Sequence, residues 1–395
     1  MNTSHQIIHS ILDNDFYKFT MQHAAIKLFP YAEASYIFIN RGKHEFPEGF
    51  SEALRLAINE MATLKLTKEE KSFLSKTCPY LDPTYLDFLQ GYHFDPSEVK
   101  IIQNGKELKV EIEGYWYRTI LWEVPLMSII CELYYQLTGL ERESNDFVIE
   151  HTREKIENYK KLGINIAEFG TRRRHSYDVH QLVVHTLKTY GEPSFIGTSN
   201  VHLAMKYNTK PIGTHAHEWF MFHAAKYGFK MANSMGLEHW VDIYRGDLGI
   251  ALTDTYTSTV FFEQFDKKFA KLFDGVRHDS GDPLDFADQT IEHYKKLGIN
   301  PLSKTIIFSD GLNPEKVERI VEHCKGKVGI SFGVGTDFTN DVGLKPMNIV
   351  IKMKQAYPEG GDWTDVVKLS DEPKKHTGTA EMIELAQRLL NIPLT

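Results

Sequence analysis

From about residue 160 onward, short apolar segments end in glycine plus polar or charged residues, and each is followed by a longer amphipathic stretch. That alternation is the punctuation of repeated βα units, and it restricts the chain to a few folds. The predicted strands with their C-terminal ends are NIAEFGTRR (165–173), SFIGTSN (194–200), KPIGTHAHE (210–218), LGIALTDTY (248–256), GVRHDSGDP (275–283), TIIFSDGL (305–312) and VGISFGVGTD (328–337). Between them VHQLVVHTLKTYG, EWFMFHAAKYGFKMANSMG, STVFFEQFDKKFAKLF, PLDFADQTIEHYKKLG and NPEKVERIVEHCKG place apolar residues three and four apart, as helices covering a sheet do. Pro283 and Pro314 stand where helices begin. Seven such units without an early GxGxxG favour an α/β fold, an irregular (β/α) barrel of about seven parallel strands, over an open doubly wound sheet.

The first 160 residues read differently. Helices are expected around 5–29, 50–63, 67–76 and 122–139, and strands in ASYIFINR and EVKIIQNGKELKVEIEGYWYR. Beyond the barrel, MNIVIKMKQAY and VVKLS are expected to be strands that return to this part, and 377–391 a terminal helix. The expected organisation is an N-terminal α+β flanking domain (1–160), a barrel domain (161–345) and a C-terminal segment (346–395) packed on the flanking domain. No repeat, low-complexity tract or Pro/Ser-rich linker separates them, so they should pack as one body.

Charge narrows the choice of ligand. A net charge of −8 and a pI near 6.1 argue against nucleic acid or an anionic membrane as partner. An anionic ligand therefore needs a local basic cluster, and the run Arg172, Arg173, Arg174 shortly after Gly170 is the obvious one. Asp13 and Asp15 come too early for a signal peptide, and no apolar run approaches a bilayer's thickness, so a cytoplasmic protein is expected. Cys78, Cys131 and Cys324 lie far apart in unrelated contexts, which argues against a disulfide framework or a Cys-rich zinc site.

In a barrel the C-terminal strand ends converge, so the polar clusters above should form one site. Gly170, Gly197, Gly213, Gly333 and Gly335 either let backbone N–H groups approach phosphate oxygens or merely make tight turns. In FGTRRRHS, Phe169 is placed to stack on an aromatic ring and Arg172 to grip phosphate; the plainer alternative is a core phenylalanine and a solvated helix start. Cations at a helix start oppose its dipole, which an anion would relieve. Arg277 and Asp279 share a face of an extended segment and suit a sugar phosphate, unless they simply pair with each other.

GTHAHEWF offers three readings. One histidine is a nucleophile toward phosphorus, oriented by Asp254. Alternatively His215 and His217 are metal ligands, completed by His278, Asp279 or Asp310, in a metal-dependent barrel hydrolase. The third makes His215 structural. Against the metal, the HxH falls on the third strand rather than the first, and HExxH is absent.

Taken in order, DNDFYKFTMQ, FGTRRRHS, FIGTSN, GTHAHEWF, LTDTY, RHDSGDP, FSDGL and FGVGTDFT resemble nicotinate phosphoribosyltransferase in its bacterial form, over essentially the whole chain. The resemblance implies that nicotinate and phosphoribosyl pyrophosphate give nicotinate mononucleotide and pyrophosphate, the entry step of NAD salvage. ATP hydrolysis would be coupled through a phosphohistidine at His217, oriented by Asp254. It further implies that Tyr17 and Phe169 sandwich the pyridine ring, with Tyr17 reaching in from the other subunit of a homodimer. Thr214 and Arg277 would hold nicotinate, and a neutral Ser199 would suit its carboxylate. Arg172, Asp279, Gly335 and Thr336 would grip the phosphoribosyl portion. ATP is then a co-substrate, and Mg²⁺ arrives on substrate phosphates rather than in a site of the protein's own. Arg173, Arg174 and His278 receive no role.

Overall fold

A computed structural model describes residues 6–394. The chain begins with β1 (Glu33–Asn40), β2 (Val99–Asn104) and β3 (Glu107–Tyr115), continues through β4 (Asn165–Glu168), β5 (Phe195–Thr198), β6 (Arg245–Leu248), β7 (Ile250–Leu252), β8 (Gly275–His278), β9 (Thr305–Phe308) and β10 (Gly329–Val334), and returns with β11 (Ile349–Tyr357) and β12 (Thr364–Asp365). β4, β5 and β7 to β10 form a parallel sheet in the order β5-β4-β10-β9-β8-β7. The flanking sheet is antiparallel, ordered β12-β11-β1-β3-β2, and β11 pairs along the whole of β1. The C-terminal strand β11 thus returns to the sheet of the N-terminal strands, as expected.

The third predicted unit, 210–218, forms no ladder strand. Pro211 makes one parallel bridge to Thr198, and Ile212 N donates to Thr198 O at 2.9 Å. On its other side this segment meets β7 through side chains: Thr214 Oγ1 donates to Ile250 O at 3.2 Å, and Leu252 N donates to His215 Nε2 at 3.2 Å. The parallel sheet is therefore closed into a barrel by one irregular seam. Proline, which lacks the ladder donor, stands where that ladder fails.

Local signals hold for most helices. Pro283 and Pro314 open helices Pro283–Lys296 and Pro314–Cys324, capped by Asp282 and Asn313. Two expected single helices are each two. Gly228, at φ +82°, separates His217–Tyr227 from Phe229–Tyr244, and Asp266 caps a new start that separates Ser258–Gln264 from Lys267–Leu272. The terminal helix runs Ala380–Leu389 behind its cap Thr379. Helices unforeseen in the sequence are Pro83–Gly91 and Asn145–Lys161 and the short Trp116–Thr119, Val201–Lys206 and Thr336–Thr339. Among the described residues no helix is long and apolar enough to cross a membrane.

Three further expectations fail. The helix expected at 5–29 is helical only over Phe16–Leu28, residue 5 lying outside the described residues. Part of the segment before it spends its backbone bonds on the loop after β5: Phe16 N donates to Ser199 O, Val201 N to Asn14 O and His202 N to Leu12 O. VVKLS is not a ladder strand; it makes a single antiparallel bridge, Lys368 to Thr377. The arginine run lies on the 3₁₀ turn Thr171–Arg173 and at Arg174, while the α-helix starts only at Tyr177 behind its cap Ser176. The dipole argument for an anion there does not apply.

Candidate active site

Helix His217–Tyr227 starts at the barrel mouth, and its cap Ala216 contributes no side-chain bond. The His217 ring is buried. Its Nδ1 lies 3.1 Å from Thr255 Oγ1, and its Nε2 lies 2.9 Å from Asp279 Oδ2 and 2.8 Å from Lys368 Nζ. Burial, then the Lys368 ammonium, push His217 down to about 4 against the pull of Asp254 and Asp279. The ring is neutral near pH 7 and keeps one nucleophilic nitrogen. Nε2 cannot donate to Asp279 and accept from Lys368 at once. With Nδ1–H on Thr255, Lys368 donates to Nε2; with Nε2–H on Asp279, the ammonium falls to Asp254.

Asp254 does not hydrogen-bond this ring. Its Oδ1 is 3.7 Å from Nε2, while its Oδ2 accepts from Ser280 Oγ at 2.6 Å and lies 3.3 Å from Lys368 Nζ. The expected orienting role is corrected accordingly: Asp279, at the end of β8, reaches the imidazole, and Asp254 holds Lys368. Asp279 also accepts from Ser309 Oγ at 3.0 Å. Although burial works against its charge, the His217 bond and nearby Arg277 hold it well below the usual carboxylate range.

Beside this cluster a cavity of about 190 Å³ is lined by Phe169, Pro211, Ile212, Gly213, Thr214, Leu248, Ile250, Arg277 and Ile307. Arg277 makes no ion pair with Asp279, which removes the plain salt-bridge reading, and its Nε is buried without an acceptor. Phe169 lies over Gly333, where a Cβ would overlap the ring. Tyr17 stands beside Gly213 of its own chain, since a Cβ there would come 2.8 Å from Tyr17 N, and Thr20 Oγ1 ties the same helix to Thr214 O at 2.5 Å. Gly333 and Gly213 thus serve close packing; Gly335, with Thr336, is part-exposed at the end of β10.

The family profile described as "Nicotinate phosphoribosyltransferase (NAPRTase) family" matches residues 164–394, and that of the "NAPRTase N-terminal domain" matches 12–131. The chain belongs to the nicotinate phosphoribosyltransferase family. It is 65% identical over 97% of its length to a nicotinate phosphoribosyltransferase of Chromohalobacter salexigens, of which 98% is covered. One from Desulforapulum autotrophicum is 48% identical over 95% of this chain and 97% of its own. Among solved structures, nicotinate phosphoribosyltransferase from Porphyromonas gingivalis superposes with a TM-score of 0.95 at 46% identity, covering 98% of this chain and 100% of its own.

In this phosphoribosyltransferase the remaining expected residues divide. Arg172 is half-exposed, its NH1 3.6 Å from Glu123 Oε1 and its Nε 4.0 Å from Asp15 Oδ2. Ser199 is buried and does not line the cavity; its Oγ donates to Asp15 Oδ1 at 2.6 Å. Arg174 is structural, gripping Asp13 at 2.6 and 2.9 Å with both side chains fully buried. His278 is packed between Phe286 and Phe308, and Asp310 is paired to Lys375 at 2.8 Å. His215 is a seam residue against Phe220 and Trp240, held well below its ordinary range by burial.

The HAH motif therefore supplies one group to the mouth, not two. His217, Asp254 and Asp279 do place ligand atoms within 4.8 Å of one another. The Lys368 ammonium already lies against two of the three, and the metal-hydrolase reading gains no support. Lys368, Lys352 and Lys18 escaped the sequence reading. Lys352, on β11, has no ion-pair partner among the described residues; burial, then Lys368, push it down to about 8. No local motif marks these lysines. The one available signal was that VVKLS returns to the flanking domain.

Proposed function

We propose that the chain joins nicotinate to the ribose carbon of phosphoribosyl pyrophosphate, releasing pyrophosphate, and couples the step to ATP hydrolysis through a phosphohistidine at His217. The observation that carries the nicotinate assignment is Arg277: a guanidinium with a buried, unanswered Nε at a small cavity walled by Phe169. A flat aromatic acid fits that description, the carboxylate on Arg277 and the ring against Phe169, with Tyr17 and Thr214 close by. The pyridine nitrogen attacks with its own lone pair, so no general base is required, and positioning dominates.

Arg172, Lys352 and Lys368 supply positive charge for the pyrophosphate, and the part-exposed Gly335 and Thr336 face the ribose phosphate. Asp279 is open enough to take a ribose hydroxyl when it releases His217. Mg²⁺ bound on the substrate phosphates neutralises charge on the leaving group. For the ATP half-reaction, a ring nitrogen of neutral His217 takes the γ-phosphoryl and ADP leaves; water later returns phosphate. Lys368 balances the added negative charge. A homodimer and a cytoplasmic setting complete the reading, resting on the family resemblance and on the phosphorylated substrates.

The test is nucleotide formation from phosphoribosyl pyrophosphate with nicotinate, nicotinamide or quinolinate, each with and without ATP. Nicotinate alone should react well, stimulated by ATP, and [γ-³²P]ATP should leave acid-labile label that His217→Ala loses. Label persisting in His217→Ala would move the phosphoryl acceptor elsewhere.

A further inference from the structure

Two of the three consecutive arginines meet carboxylates in opposite ways. Arg174 is fully neutralised, bidentate on Asp13 at 2.6 and 2.9 Å. Arg172 has two carboxylates in reach but closes on neither, at 3.6 Å from Glu123 and 4.0 Å from Asp15. Full-strength guanidinium–carboxylate bonds are about 2.7–2.9 Å long. Both acids are engaged elsewhere. Asp15 takes the Ser199 hydroxyl, and Glu123 Oε2 takes Lys18 Nζ at 2.5 Å.

Lys18 is held in place from its other side. Its side chain is 0% exposed and also pairs with Glu218 Oε2. Glu218 Oε1 in turn accepts from Tyr36 OH and Trp116 Nε1, both at 3.1 Å. Glu218 directly follows His217, so one ammonium ties the start of the histidine's helix to the acid facing Arg172. Two cations and two carboxylates alternate in the row Arg172, Glu123, Lys18, Glu218. An unpaired carboxylate in such a site is costly. Without Lys18, Arg172 is the one cation left within 4.0 Å of Glu123, Lys352 acting on it only from farther off.

We propose that Lys18 is a positioning residue for phosphate binding: by holding Glu123 away from Arg172, it leaves the Arg172 charge available to the phosphates of phosphoribosyl pyrophosphate. The inference rests on the reading of Arg172 as a phosphate ligand, and the experiment separates the two.

Steady-state kinetics with phosphoribosyl pyrophosphate varied would compare the wild type with Arg172→Ala, Lys18→Met, Glu123→Gln and the double variant Lys18→Met/Glu123→Gln, each checked by thermal unfolding. Lys18→Met should raise KM for phosphoribosyl pyrophosphate roughly 10-fold while KM for nicotinate stays within about 2-fold, and the double variant should recover to within about 3-fold of Glu123→Gln. Rescue by removing a second buried charge partner is not what a merely structural lysine gives. An unchanged KM in Lys18→Met, or a double variant as poor as the single, overturns the proposal. If Lys18→Met does not fold, Glu123→Gln still decides: KM should fall about 2-fold, and a rise or no change overturns it. Should Arg172→Ala itself leave this KM unaltered, the phosphate reading of Arg172 fails instead.

Discussion

Lys368 Nζ lies 2.8 Å from Nε2 of His217, across 151 residues of sequence. The ammonium is one of the two main forces that keep the imidazole neutral, burial being the larger. Replacing it in Lys368→Met leaves burial alone against Asp254 and Asp279, so the His217 pKa should rise from about 4 toward its ordinary 6.5. More of the ring is then protonated at pH 6 to 7, and an imidazolium does not attack phosphorus. The acid limb of ATP hydrolysis should move up by about 1 pH unit or more. A superimposable pH profile would remove Lys368 from this role.

Arg277→Gln keeps a donor of similar reach but removes the charge. Loss of a charge-assisted bond to the substrate carboxylate costs about 1.5–3 kcal/mol, so KM for nicotinate should rise roughly 10- to 100-fold. Turnover of nicotinamide, which has no carboxylate, should change little if it is measurable in the wild type. Equal losses for acid and amide would show that Arg277 does not read the carboxylate.

Gly333→Ala places a methyl group into the Phe169 ring. The ring must move, so KM for nicotinate should rise, and unfolding should cost about 1–3 kcal/mol less than in the wild type because the site is overpacked. Chemical denaturation and substrate titration read the two effects separately. A variant with unaltered KM would place Phe169 away from the bound ring.

His175 is stacked on Tyr135 with ring centroids 4.4 Å apart, and neither ring nitrogen has a hydrogen-bond partner. Burial, then Arg142, push its pKa down to about 4. The unfolded chain therefore takes the proton first: the folded state keeps its full stability above pH 6.5 and loses it as pH falls from there toward 4. His175→Phe preserves the stack and removes that slope, worth about 2 kcal/mol at pH 5. The drop in Tm between pH 7 and pH 5 should be smaller in the variant. Buried His217 and His223, pushed down to about 4 and about 3, sustain part of the wild-type slope.

Six of the seven barrel strands and the helix starts at Pro283 and Pro314 were legible because they depend on local periodicity and caps. The same holds for Phe169, Thr214 and Arg277, which reach one cavity because consecutive strand ends meet there in any barrel of this order. A resemblance carried by eight ordered motifs then narrowed the chemistry further than any spacing does.

What only the tertiary structure decided is which groups touch. Asp254 and Asp279 look equivalent in sequence, each just past a strand, yet one bonds His217 and the other Lys368. His215 and His217 are two residues apart, and one closes the seam while the other faces the mouth. Lys368 arrives on a segment whose apolar pattern promised a strand, and Lys18 finds its two carboxylates 105 and 200 residues away. Periodicity reports which face of an element is buried; it carries no information about which distant side chain completes a charge. That pairing is set by how the loops and the returning C-terminal segment pack, where desolvation leaves each buried ion only the partners within a few ångströms.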